Sequence, residues 1–493
     1  MKKLIIFLFP LIFLASCVEN LDDYNIDQKR ADEAPPATLF TSALLNLTDD
    51  MATPNVNINN FRFYIQQWSA TTYLQEPRYD LLSRIIPQNW WEGKYRDVLS
   101  DLKEAKELLL ADEFLEAAVK DNQRAQIEII EVYTWSVLVN TFGNIPYSEA
   151  LNINDPLPKY DDAATIYNDL LARLDTALAL LDPSAEGFGD GDLLYNYGDI
   201  TTGVEGWVKF GNSLKLKLGM ILADVDPAKA KAIVEEAAPN VFESNEDKAR
   251  FPYISTPPNH STIADNMHPD FSTRQDYVAG KPFVDKLNEL EDPRRPFYFT
   301  TVDGEYKGGY IGFTNAYADY SHVSDKVIAP DFEYLLMDYS EVEFLLAEAV
   351  ERGFNVGGTA AGHYNDAITA SITYWGGSQA QASAYLLQPD VAYLTAEGNY
   401  KQKIGVQKWI ALYNRGYDAW TSWRRLDYPE LEPVGPGTAP PDTDPQDIPA
   451  GLNIPVRLIY PVSEQGENGA NRAEAAAAIG GDEVTTKLFW DVN

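Results

Sequence analysis

Asp161-Asp162-Ala163-Ala164-Thr165-Ile166-Tyr167-Asn168-Asp169-Leu170-Leu171-Ala172-Arg173-Leu174-Asp175-Thr176-Ala177-Leu178-Ala179-Leu180-Leu181-Asp182-Pro183 sets the reading of the whole chain. Ile166, Leu170, Leu174, Leu178 and Leu181 recur at spacings of four and three, which is one face of an α-helix. Asp161-Asp162 can accept hydrogen bonds from the first free N–H groups, and Asp182-Pro183 stops the run. Similar amphipathic segments lie near residues 88–110, 113–141, 204–223, 226–238, 338–352 and 361–372, so the chain is expected to be mostly α. Helix pairs joined by short turns suggest a tetratricopeptide-like array, but no clean 34-residue consensus is present, so the repeats are degenerate. Long irregular stretches separate the helices at 183–202, 251–277, 300–335 and in the Pro/Gly-rich Glu432–Asn453 segment. Loops of this length inside a folded body are uncommon and often functional. β content is expected to be low, with short hairpins around Thr300 to Phe313.

Working back to the N-terminus, Lys2 and Lys3 precede an apolar run from Leu4 to Leu14, interrupted by Pro10 and followed by Ala15-Ser16-Cys17. This pattern reads as a cleaved signal peptide over residues 1–16. The run is short of the ~20 residues that span a bilayer. Cys17 is the single cysteine, and Leu14-Ala15-Ser16-Cys17 resembles the lipobox of bacterial lipoproteins, so Cys17 is the expected lipidation site. Residues 17–37 are acidic, contain prolines and are weakly apolar, which describes a lipidated N-terminus and flexible tether. Residues 38–493 then form the folded body, which must rest on its hydrophobic core because no cysteine remains for a disulfide.

Lys and Arg number 39 against 74 Asp and Glu, a net charge of −35 that disfavours nucleic acid and anionic membrane surfaces. Aromatic residues are abundant: Trp 10, Tyr 29 and Phe 21 exceed what a helical core of this size needs. Enzyme signatures are thin. His260, His268, His322 and His363 are scattered, and there is no His-Glu-x-x-His, no paired cysteine ligands and no Gly-x-Ser-x-Gly elbow. Asp442, Asp444 and Asp447 lack the glycine and terminal glutamate of a calcium loop and read as solvated. No cofactor, metal or catalytic residue is expected. With 74 acidic residues, a glycosidase carboxylate pair can still arise by chance.

Several strings converge on one family. They are Asn140-Thr141-Phe142-Gly143-Asn144-Ile145-Pro146-Tyr147-Ser148-Glu149-Ala150, Trp207 to Leu218, Asp292-Pro293-Arg294, Met337 to Ala349, and Ala419-Trp420-Thr421-Ser422-Trp423-Arg424-Arg425 with Tyr428-Pro429. Ile454 to Pro461, then Glu464, Asn468 and Asn471, then Lys487 to Asp491 complete the set. Together with Cys17 they resemble the SusD/RagB family of outer-membrane lipoproteins, in the SusD-like nutrient-binding branch. Gly211 departs from the alanine usual there, and the loop at 432–453 is extended. The resemblance implies the SusD-like helical fold and a partner, a SusC-type TonB-dependent outer-membrane transporter that the protein caps like a lid. It also implies delivery of oligosaccharides, or of peptides as in RagB-like members, without catalysis; a surface-anchored glycoside hydrolase is the rival from another class. Glu19, Asp22 and Asp23 resemble the acidic export signals of Bacteroidetes surface lipoproteins, which implies an outer-membrane protein facing the cell exterior.

Sugars present C–H faces that stack on aromatic rings and hydroxyls that meet Asp, Asn and Arg. Ligand contact is therefore expected from aromatics on broken segments: Tyr73, Tyr79 and Trp90 around Glu76-Pro77 and Ile86-Pro87, with Pro87 holding Trp90 exposed at a helix start. A second patch is Tyr374-Trp375, and a third is Asp270, Arg274 and Tyr277. Trp68, spaced i+7 from Phe61, is expected in the core of a helix; Trp91 and Tyr95 are expected to pack inward. Glu341, Glu348 and Arg424-Arg425 read as buried ion pairs and helix-end ligands.

Overall fold

Among the described residues, ten helices of more than ten residues account for most of the core. In chain order they are α1 (Pro36–Ala52), α2 (Ser100–Ala111), α3 (Ala117–Phe142), α4 (Ala163–Leu180), α5 (Val204–Ile221), α6 (Pro227–Ala237), α7 (Tyr339–Glu351), α8 (Ala360–Trp375), α9 (Tyr400–Ala411) and α10 (Gly416–Leu426). The computed structural model describes residues 34–492. The expected signal peptide, Cys17 and nearly all of the expected tether lie outside the described residues; α1 begins at Pro36, inside the segment expected as tether.

Consecutive helices pack in pairs: α1 on α2, α3 on α4, α5 on α6, α7 on α8, and α9 on α10. The pairs follow from local chemistry. Asp162 caps α4 by accepting from the Thr165 N–H at 2.9 Å, and Asp338 caps α7 by accepting from the Glu341 N–H at 2.8 Å. Thr359 caps α8, whose other end stops at Gly376 with φ +110°, a left-handed conformation that glycine adopts without strain. α3 is buried without a break from Ile129 to Phe142, so neighbours surround it on every side. Among the described residues no helix is long and apolar enough to cross a membrane.

The strands differ from the expected hairpins. Among the described residues three two-stranded antiparallel ribbons are present: β1 (Trp68–Ala70) with β5 (Tyr277–Ala279), β2 (Ile145–Pro146) with β3 (Tyr160–Asp161), and β4 (Ala249–Phe251) with β6 (Tyr334–Met337). Two of the three join segments far apart in sequence, and the stretch 300–313 contributes only isolated bridges such as Val302 with Glu305. Trp68 lies in β1 and not on a helix, because the helix that starts at Phe61 ends at Tyr64. Its indole is 1% exposed and donates to the Tyr413 hydroxyl at 3.2 Å.

Between α5, α7, α9 and α10 lies a buried charge network. Arg415 bonds Glu341 at 2.5 Å and Asp418 at 3.0 Å, and Lys217 meets Glu341 at 3.0 Å and Asp418 at 2.5 Å. Asp338 and Lys408 complete it at 3.3 Å from Arg415 and 4.0 Å from Glu341. A second pair joins Glu348 to Arg425, with Arg352 on the same carboxylate at 2.8 Å. Arg424 serves backbone instead. It donates to the Asn140 carbonyl at 2.7 Å, near the end of α3, and to Val456 at 2.9 Å, stacked 3.4 Å over Trp420.

These groups give stability a defined pH dependence. Burial pushes the Asp49 and Asp192 carboxyls up to about 6. Burial also disfavours ionised Glu341, but Lys217, Arg415 and Lys408 outweigh it and hold its pKa well below the usual range; Arg425 and Arg352 do the same for Glu348. The raised groups bind protons in the folded state first, so stability rises as pH falls through about 6. The depressed groups contribute stability that is complete above the ordinary glutamate value of about 4.5 and is lost as pH falls below it. The melting temperature is therefore expected to peak between about pH 4.5 and 6. A melting temperature that falls steadily from pH 8 downward would refute this assignment.

Candidate functional site

The β1–β5 ribbon carries three loops out of the core together. Trp68 pairs with Ala279 and Ala70 with Tyr277. The pairing continues past the strands, since Thr71 donates its N–H to the Asp276 carbonyl at 2.9 Å and its hydroxyl to the Gln275 carbonyl at 2.7 Å. Residues 72–85 and 268–276 thus leave the same end of the ribbon. Asn315, 2% exposed, fastens the third loop to it. Its side-chain amide donates to the Ala70 and Phe313 carbonyls at 2.8 Å, and its backbone N–H donates to Thr71 at 3.0 Å.

On this platform Tyr73 stands 46% exposed, with the Arg84 guanidinium 5.4 Å from its ring centroid. Arg84 is held by a close ion pair to Glu76, a carboxylate only 1% exposed, and reaches Asn57 Oδ1 at 3.5 Å. Across the ribbon Arg274 is exposed, and Asp276 bonds its Nε at 2.5 Å. That hydrogen bond raises the Arg274 pKa above the usual guanidinium value, with the nearby Tyr73 hydroxyl a lesser contributor. Asp270 is exposed on the same loop, where its N–H donates to His268 Nδ1 at 3.2 Å. Phe271, 37% exposed, lies 4.4 Å from the His260 ring and 5.6 Å from that of His268. Tyr73 and Arg274, expected in two separate patches, therefore lie close together, with Asp270 further along the Arg274 loop.

The remaining expected contacts are corrected by burial. Trp90 is 0% exposed, edge-on to Phe61 at 4.9 Å and stacked on Tyr417 at 5.8 Å, with Lys94 Nζ 3.4 Å above its ring. Pro87 does start the helix, but that helix is enclosed, so its first turn offers no open face. Tyr79 turns back under the loop beside Tyr64, and its hydroxyl accepts from the Val434 N–H at 3.4 Å. Tyr277 pairs with Ala70, two residues from Trp68, so its ring falls on the Trp68 face at 5.6 Å and its hydroxyl donates to the Pro54 carbonyl at 2.6 Å. Trp375 shares a buried stripe of α8 with Ile368 and Ile372 and meets Tyr298 at 4.7 Å. Tyr374, one residue earlier, is half-buried and lines a different cleft with Lys326 and Glu333.

Arg84, Glu76, Phe271 and Asn315 carry no mark in the sequence that would single them out. Glu76 and Arg84 are eight residues apart with no helical or strand period between them, and Asn315 acts on a strand that lies far from it in the chain. The hydrophobic runs hold no signal for either.

Chemically, the exposed Tyr73 ring lies beside the Arg84 and Arg274 guanidinium groups, with the Asp270 carboxylate 3.8 Å from His268 Nδ1 further along the Arg274 loop, a set suited to gripping a hydroxyl-rich ring. This is a helical scaffold with a loop-built candidate face. The chain belongs to the SusD-like family described as starch-binding and associating with the outer membrane, which it matches over residues 28–461. No protein with a curated description matches it. Among solved structures it is similar to a chitin-binding protein at 27% identity, with a TM-score of 0.78 and coverage of 93% of this chain and 100% of that one. A chitin-binding SusD homologue from Flavobacterium johnsoniae is 25% identical, with a TM-score of 0.75 over 92% of this chain and 99% of the other. A SusD homologue from Bacteroides thetaiotaomicron is likewise 25% identical, with a TM-score of 0.73 over 94% of this chain and 100% of the other.

Proposed function

We propose that the protein is a cell-surface glycan-binding lipoprotein that captures oligosaccharides on the Tyr73 face and delivers them to a SusC-type TonB-dependent transporter without chemical turnover. The observation that carries the reading is the half-exposed Tyr73 ring, braced by Arg84 and facing Arg274 on three loops tied to one ribbon. Family membership and the chitin-binding relatives support a saccharide over a peptide. Anchoring through Cys17 and outward display rest on the lipobox-like N-terminus.

Titration calorimetry with N-acetylglucosamine and maltose oligomers, and with a peptide panel, tests the reading. Tyr73→Ala is expected to weaken oligosaccharide binding about tenfold or more, since a stacked platform residue commonly contributes upward of about 1.4 kcal/mol. Its melting temperature should be nearly unchanged, because the ring is half solvated. Wild-type binding of peptides alone, or released sugar products, would replace the reading. For the anchor, Cys17→Ala is expected to abolish acylation and stable outer-membrane attachment; mass spectrometry showing an unmodified Cys17 in the wild type would refute it.

A further inference from the structure

The β1–β5 ribbon has a second end. Gln66 precedes β1 and Lys281 follows β5, and there a cleft of about 510 Å³ opens between the helix Lys281–Glu289, Tyr310–Ile311 and the loop Glu430 to Pro441. Its size is that of a small-ligand site. The Tyr310 ring is half-buried in it, and its backbone is fixed by Ser69 and Asn315.

The polar lining is lopsided. Gln66 is 1% exposed; its Nε2 donates to the Glu432 carbonyl at 2.6 Å, while its Oε1 has no hydrogen-bond partner among the described residues. A buried amide oxygen left unpaired is costly, and a donor arriving in the cleft would satisfy it. Glu430 and Glu432 are exposed carboxylates, and neither has an ion-pair partner among the described residues. Lys281 is offset by Asp285 at 2.6 Å, and the Thr438 hydroxyl bonds the Gly435 carbonyl at 3.2 Å. The Tyr310 ring face is thus bordered by the unpaired Gln66 amide oxygen and, among the described residues, by two carboxylates without an ion-pair partner.

We propose that this cleft is a second saccharide site, separate from the Tyr73 face, that takes sugars bearing a free amine. A protonated amino sugar brings a positive charge to Glu430 and Glu432 and a donor to the Gln66 amide oxygen, and its C–H face covers Tyr310. Sugars bearing carboxylate or sulfate meet like charge there and are excluded. This inference does not depend on the function proposed for the Tyr73 face.

The test uses glucosamine tetramer and N-acetylglucosamine tetramer as probes, titrated into wild type, the double variant Glu430→Gln/Glu432→Gln, and Tyr73→Ala in mildly acidic, low-salt buffer. The double variant is expected to bind glucosamine tetramer about tenfold or more weakly, and its affinity for the N-acetylated probe to be unchanged. Wild-type affinity for glucosamine tetramer should fall as salt is added. Both replaced side chains are exposed and the amides are near-isosteric, and a melting curve confirms that the variant is folded. The proposal is overturned if wild type does not bind glucosamine tetramer, if the double variant binds it as well as wild type does, or if only Tyr73→Ala weakens it. Loss of the N-acetylated probe on Tyr73→Ala bears on the Tyr73 face alone.

Discussion

Glu341→Ala is expected to lower the unfolding free energy by about 3–5 kcal/mol, the usual cost of removing one partner from a buried ion pair. Glu341 is 2% exposed and is the meeting point of Lys217, Arg415 and Lys408, so its loss leaves three cations sharing Asp338 and Asp418 in a medium from which water is excluded. Burial alone already disfavours a charged Lys408, whose pKa is lowered to about 8 even with Glu341 nearby. In the variant Lys408 should therefore give up its proton more readily, and part of the lost stability should return as pH is raised. Urea unfolding at several pH values reads both effects. A loss below about 1 kcal/mol would show that the network is solvated in solution.

Trp90→Ala is expected to cost a similar amount, about 3–5 kcal/mol, and to leave oligosaccharide affinity unchanged. Removing the indole opens a cavity against Phe61 and Tyr417 and strips the cover from Lys94, a fully buried ammonium whose remaining partner is Asp50 at 2.8 Å. Paired with Tyr73→Ala, the variant separates fold from ligand: one melts early and binds, the other melts normally and binds poorly. Were Trp90→Ala to retain its melting temperature and lose sugar, the enclosure of that ring would be wrong.

The helices were legible because a period of 3.6 residues sustained over four or five turns survives a few exceptions, and because Asp162, one of the pair read as a helix start, does cap its helix. Trp90 was not legible for a definite reason. Neighbouring helix residues point about 100° apart, so Trp90 and Trp91 face different surroundings, and an amphipathic helix would expose one of them. Here both directions meet protein: Trp91 packs on Tyr95 and Phe142, and Trp90 on Tyr417, which is supplied from far along the chain. The binding face was only partly legible for the same reason. Tyr73, Asp270 and Arg274 could be picked out as aromatic or polar residues on broken segments. Their meeting depends on a three-residue strand pairing that is too short to leave a periodic trace.

That pairing also orders events in time. Trp68 and Ala279 are joined across more than two hundred intervening residues, so the ribbon is closed against a large chain entropy, and only after the helices between them can shorten the span. The chain emerging from a ribosome or a secretion channel holds Tyr73 long before it holds Arg274 and Asn315. The Tyr73 face is thus completed only late, and a chain interrupted anywhere before Asn315 carries helices but not the assembled ribbon.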